Sequence, residues 1–117
     1  MAGAMVFALT IEIASAVLVT WLTWRAADGS LARNSLAGIR TRITMSSEAA
    51  WRIGHRAALR PTIIAGAITV LWCSTSIGLA PLRTPLSVIV ASVVLLGGAL
   101  LSIPVAHRAV RRSTSEG

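Results

Sequence analysis

The sequence predicts an all-α integral membrane protein with three transmembrane helices and a short amphipathic helix at the cytoplasmic interface, within the first loop. Three observations carry this reading. Apolar residues make up 55 % of the 117-residue chain against 13 % charged, with a mean hydropathy of +0.75, beyond the range of ordinary small soluble domains. The excess is concentrated in three windows, 4–24, 61–80 and 85–106. Each is about 20 residues long, enough to cross a hydrocarbon core of about 30 Å at about 1.5 Å per residue. The eleven arginines are distributed unevenly around these windows. A chain of this length is expected to form a single membrane domain, 1–117.

The first window is apolar apart from Glu12 and a few serines and threonines. Ala14-Ser15-Ala16 resembles a cleavage site, but no basic residue precedes the window and a glutamate interrupts it, so a cleaved signal peptide is not expected. The window ends in Trp21 and Trp24 followed by Arg25. That order suits a cytoplasmic interface, with indoles at headgroup level and the guanidinium in water. Asp28-Gly29-Ser30 then predicts a turn.

The loop 25–60 holds seven of the eleven arginines. From Ser47 a helix is expected, with Ser47 as its cap and Glu48 favouring the positive end of the helix dipole. Trp51, His55 and Leu59 share one face at intervals of four residues, and Arg52, Arg56 and Arg60 line the adjacent face. This pattern suits a helix lying in the interface plane. Pro61 predicts a bend there and the start of the second span.

The second and third windows are uncharged, and Pro81 and Pro85 bracket a short link, so an antiparallel hairpin is expected. Ser74-x-x-x-Gly78 and Gly98-x-x-x-Ser102 offer small faces for close helix contact. Pro104 predicts a bend near the end of the third helix, with 107–117 leaving as a basic cytoplasmic tail. Cys73 is the only cysteine and lies within a span, which excludes an intrachain disulfide. No Cys/His spacing suits a metal.

A net charge of +7 invites a nucleic-acid reading, but the distribution argues for topology. Ten arginines lie in the first loop and the tail, which share one side of a three-span protein, against Arg83 alone on the other. The positive-inside rule places the loop and C-terminus in the cytoplasm and the N-terminus outside. The same charges attract anionic lipids, by about 1 kcal/mol per basic residue near the surface. A bilayer containing anionic lipid is therefore the expected partner, and nucleic acid is not.

Glu12 is the ionisable residue deep in a span. A charge at the bilayer centre costs about 2.5 kcal/mol or more on insertion scales, so such groups face a bundle interior or water. Two readings stand: a protonatable cation or proton site, or a glutamate hydrogen-bonded to a Ser or Thr of another span. Small multidrug transporters share a glutamate in the first helix but have four spans and short loops.

Within the loop, Asn34-x-x-x-Gly38-Ile39-Arg40-Thr41-x-x-Thr44 is followed by Trp51-x-x-x-His55-Arg56. Gly38 permits a tight turn. Asn34, Thr41 and Thr44 are short hydrogen-bonding side chains suited to tying it together. Arg40 presents a planar, permanently charged fork to a carboxylate, lipid phosphate or carbonyl cluster, with Glu48 one intrachain candidate. Trp51 and His55 share a face and are placed to pack the turn against the bundle. The motif is either a structural staple or a surface for a partner.

This stretch resembles the SdpI family of bacterial membrane proteins, which is recognised by an Asn-x-x-x-Gly-Ile-Arg-Thr segment, a following Thr and a Trp-x-x-x-His-Arg. Arg42 departs from the pattern, since many members carry proline there, and the resemblance covers only the family's core three-helix module. It implies immunity toward a secreted toxin peptide, together with membrane recruitment of a transcriptional repressor. Both are partners the loop would meet in the inner membrane of a bacterium, with Arg40, Trp51 and His55 at the contact.

No Ser-His-Asp arrangement, paired carboxylates or phosphate-binding glycine loop is evident, and the chain has four acidic residues, so an enzyme is not expected. No cofactor is called for. The rival readings are a homo-oligomeric proton- or cation-coupled transporter subunit using Glu12, and an accessory subunit of a larger membrane complex.

Overall fold

Three long helices account for most of the computed structural model, which describes residues 2–116. Helix α1 runs Ala2–Ala27, α2 Glu48–Gly78 and α3 Pro85–Glu116. All three are long and apolar enough to cross a membrane, and no strand occurs among the described residues. The protein is an all-α, multi-pass membrane protein.

Each boundary has a local cause. Helix α1 stops where Gly29 takes a left-handed φ of +88°, a conformation closed to most side chains. Ser30 N–H donates to Asp28 Oδ1 at 2.8 Å, and Leu31 N–H returns to the Arg25 carbonyl at 2.9 Å. The Arg25 guanidinium lies 5.1 Å from the Trp21 ring centre, a cation–π contact at the helix end. Helix α2 begins at the expected cap, the Ser47 side chain accepting from Ala50 N–H at 2.9 Å. The link to α3 is tied by Arg83 Nε donating to the Ile77 carbonyl at 2.8 Å and Trp72 Nε1 donating to the Ser87 carbonyl at 2.9 Å.

Helix α2 is the central element, buried along two sides against α1 and α3. Glycine makes close approach possible on each side. A methyl group on Gly66 would come within 2.7 Å of Thr20 Oγ1 on α1, and one on Gly98 of α3 would overlap the Ala65 methyl. The Gly98–Ser102 face is therefore used, with Ser102 buried, whereas Ser74 and Gly78 are exposed and make no such contact.

The structure corrects two expectations at the loop end. The amphipathic segment is not a separate interfacial helix; it is the first part of α2, which continues through Pro61. Likewise α3 continues through Pro104 to Glu116, so the basic tail is helical over its described length. The reason is tertiary. Trp51, Gly54, His55 and Ala58 are buried, and Gly54 faces Thr44 of the loop and Ala106 and Val110 of α3. The segment was rightly read as two-faced, but its apolar face packs on protein instead of lipid, while Arg52, Arg56 and Arg60 remain exposed. The molecule is 54 Å long, well beyond a hydrocarbon core of about 30 Å, so these extensions form a head that projects from the bundle.

Candidate functional site

The head is the loop between α1 and α2, folded against the starts of α2 and the last turns of α3. Asn34 organises its first turn. Its Oδ1 accepts from the N–H groups of Leu36 and Ala37 at 2.9 and 2.7 Å, and its Nδ2 donates to the Ala32 carbonyl at 2.9 Å. Such Asx geometry lets a side chain replace the backbone partner of a turn. Gly38 follows with φ +100°. A methyl group there would sit 2.6 Å from Trp51 Cη2 and 2.8 Å from His55 Nε2, so both conformation and space require glycine.

Trp51 and His55 are fully buried beneath this turn, their rings 4.2 Å apart and tilted by 46°. Trp51 Nε1 donates to the Leu31 carbonyl at 2.7 Å. His55 Nε2 accepts from the Ile39 N–H at 2.8 Å, while Nδ1 lies 2.7 Å from the Trp51 carbonyl. A backbone N–H only donates and a carbonyl only accepts, so the ring is neutral with its proton on Nδ1. Burial holds its pKa below the ordinary value of 6.5, opposed by the bond to the Trp51 carbonyl.

Thr44 is also fully buried and closes the turn from the other side. Its hydroxyl donates to the Ile39 carbonyl at 2.5 Å and accepts from Thr41 N–H at 3.0 Å. Thr41 Oγ1 in turn pairs with His107 Nε2 of α3 at 2.7 Å. The loop is thereby bonded to both neighbouring helices. Glu48 does not pair with Arg40. It takes Arg33, whose Nε lies 3.0 Å from Glu48 Oε1 and whose Nη1 donates to the Met45 carbonyl at 2.8 Å. Arg40 is exposed, and its Nε donates to the Asn34 carbonyl at 3.1 Å. Arg56 is exposed on α2, with no hydrogen bond to a described residue.

These distances bring seven of the expected motif residues into one cluster and leave Arg56 outside it. A model of the SdpI/YfhL protein family matches residues 30–106, more than half of the chain. The chain belongs to the SdpI/YfhL family. The matched stretch begins at the turn after α1 and ends within α3, one residue before His107. No curated protein and no solved structure gives a significant match.

Sequence reasoning missed three members of this SdpI/YfhL head. His107 lies 66 residues from the Thr41 it bonds, the Leu31 carbonyl 20 residues from Trp51, and Arg33 replaces Arg40 as the partner of Glu48. Pro104 followed by the second histidine was the one available signal for the first of these. Glu12 lies elsewhere, at half depth of α1, where Ser92 Oγ of α3 donates to its Oε1 at 2.5 Å. That contact is the kind expected of a glutamate tied to a serine of another span. Among the described residues, no group of three His, Cys, Asp or Glu side chains is placed to hold a metal.

Proposed function

We propose that this SdpI/YfhL family member acts in the inner membrane of a bacterium, protecting against a secreted toxin peptide and recruiting a transcriptional repressor to its cytoplasmic head. The arginine distribution supports the orientation, with loop and C-terminus inside and the N-terminus outside. One observation carries the choice of surface. The loop is bonded internally, through its backbone to α2 and through the Thr41 hydroxyl to α3, yet it holds Leu36 91 % exposed on the Asn34 turn, with Arg40 exposed four residues on. A preorganised apolar point among permanent positive charges suits a partner with an apolar, acidic face.

Trp51 and His55 then act from inside, by shaping this surface, and Leu36 meets the partner beside Arg40, whose charge contributes to the basic field there. Arg52, Arg56 and Arg60 extend the basic face along α2. In a toxin-sensitive strain expressing the chain, Arg40→Ala and Leu36→Ser are expected to abolish protection or lose the repressor from the membrane fraction, with expression and insertion verified. Full activity in both variants would overturn the surface assignment. A periplasmic reporter fused at Arg83 is expected to be active, and one fused within the loop inactive.

A further inference from the structure

Because α2 packs along both neighbours while α1 and α3 meet at few points, a cleft remains between α1 and α3. A cavity of about 430 Å³ occupies its loop end. Val19, Leu22, Leu95 and Ile103 supply apolar walls, and Gly38–Thr41 forms the roof. About two turns deeper than Val19 on α1, the Ser92–Glu12 hydrogen bond joins α1 to α3. Val19 and Ala99 line the cavity and are also exposed on the lipid side of the bundle.

Two features distinguish this space from a plain lipid-facing groove. Arg40 lies at its mouth, anchored through Nε to the Asn34 carbonyl, with both terminal nitrogens free of any bond to a described residue. Thr62 of α2 also lines it, only 8 % exposed and without a hydrogen-bond partner among the described residues. Elsewhere in these helices Thr10, Thr23 and Thr69 donate to the carbonyl four residues earlier; Thr62 makes no such bond to a described residue. Thr20 lines the same space and likewise has no hydrogen-bond partner among the described residues.

We propose that the cleft binds one anionic phospholipid. Its phosphate meets the Arg40 guanidinium, an ester carbonyl accepts from Thr62, and an acyl chain fills the space between Val19, Leu22 and Leu95. Gly98 packs on Ala65 and Gly66 on Thr20, which puts Leu95 and Val19 deeper than Thr62, so the cleft presents cation, hydroxyl and apolar wall in the order of phosphate, ester and chain in such a lipid. The space is small for a folded peptide. A helix of about 10 Å diameter would fill it with about one turn, whereas it lies within the range of about 300–1,000 Å³ typical of small-ligand pockets. Trp21, Trp24 and Arg25 mark the same end of α1 as the headgroup level. This reading does not rest on toxin protection; a chain that binds lipid but protects nothing would sink only the latter.

The test is native mass spectrometry of the full chain released from mixed micelles holding equal phosphatidylglycerol and phosphatidylcholine. The wild type is expected to retain one phosphatidylglycerol, preferred at least tenfold. Arg40→Gln should abolish the preference, Ala99→Phe should remove bound lipid of either kind by filling the cavity, and Arg42→Gln should change nothing. Millimolar inorganic phosphate should not displace the lipid. Retention of the preference in Arg40→Gln, undiminished binding in Ala99→Phe, equal loss in Arg42→Gln, or displacement by free phosphate would each overturn the proposal. Circular dichroism of each variant confirms that loss of binding is not loss of helix.

Discussion

His55 Nε2 accepts the backbone N–H of Ile39 at 2.8 Å, so a side chain of α2 completes the hydrogen bonding of a loop sixteen residues away. The bond requires a neutral imidazole and lies directly under the Gly38 turn. Protonation of Nε2 removes the lone pair that accepts the Ile39 N–H.

Acidification is therefore expected to loosen the head. Burial lowers the His55 pKa below 6.5 in the folded protein, so the unfolded chain takes up this proton first as pH falls. The stability it contributes is complete above about pH 6.5 and is lost as pH drops through the lower, folded value. Protease cleavage within residues 30–46, followed from pH 8 to 5, should rise in the wild type. In His55→Gln, cleavage should already be faster at pH 8 and the dependence flatter. A wild type whose cleavage is constant across this range would remove His55 as the sensor.

Gly38→Ala is expected to lower stability by about 1–3 kcal/mol through its positive φ, with further loss from overlap with Trp51 and His55. Gly97→Ala, in open space inside α3, should be neutral or stabilising by up to about 1 kcal/mol. Thermal unfolding in detergent separates the two, and a red shift of tryptophan emission should accompany only the first.

Trp51→Phe keeps one aromatic ring but loses part of the indole volume and the bond from Nε1 to the Leu31 carbonyl, the bond alone costing about 0.5–1.5 kcal/mol. Trp51→Ala should cost about 3–5 kcal/mol. The discriminating measurement is amide hydrogen exchange at residues 31–39, which should quicken modestly in the first variant and approach loop-like rates in the second.

Glu12→Gln leaves an acceptor for Ser92 Oγ, so helix association should change by less than about 1 kcal/mol. Glu12→Ala and Ser92→Ala should each weaken the α1–α3 contact by a comparable amount, and their double variant should show no further loss. Additive losses would mean the two residues act separately. Loss of proton-dependent flux in Glu12→Gln vesicles would instead favour the transporter reading.

How much of the site was legible follows from where its forces act. The Ser47 cap and the Gly29 turn are decided within a few residues, by φ preference and local hydrogen bonds, and both stand where the sequence placed them. The Asn34–Thr44 and Trp51–His55 spacings identified the cluster and its family. The partner of Glu48 was misjudged because Arg33 and Arg40 are both near in sequence, and only the folded loop places Arg33 within reach while turning Arg40 toward the cleft.

By itself the sequence determined three apolar helices of bilayer length and the glycine-centred turn between the first two, because hydropathy, helix rise and glycine's φ freedom are properties of short windows. Tertiary structure alone decided that the arginine-faced segment continues into α2, that His107 reaches Thr41, and that α1 and α3 part to leave a cavity under Arg40. A two-faced helix has the same sequence pattern whether its apolar side meets lipid or protein. What it meets depends on which distant residues the packing of α2 brings to it.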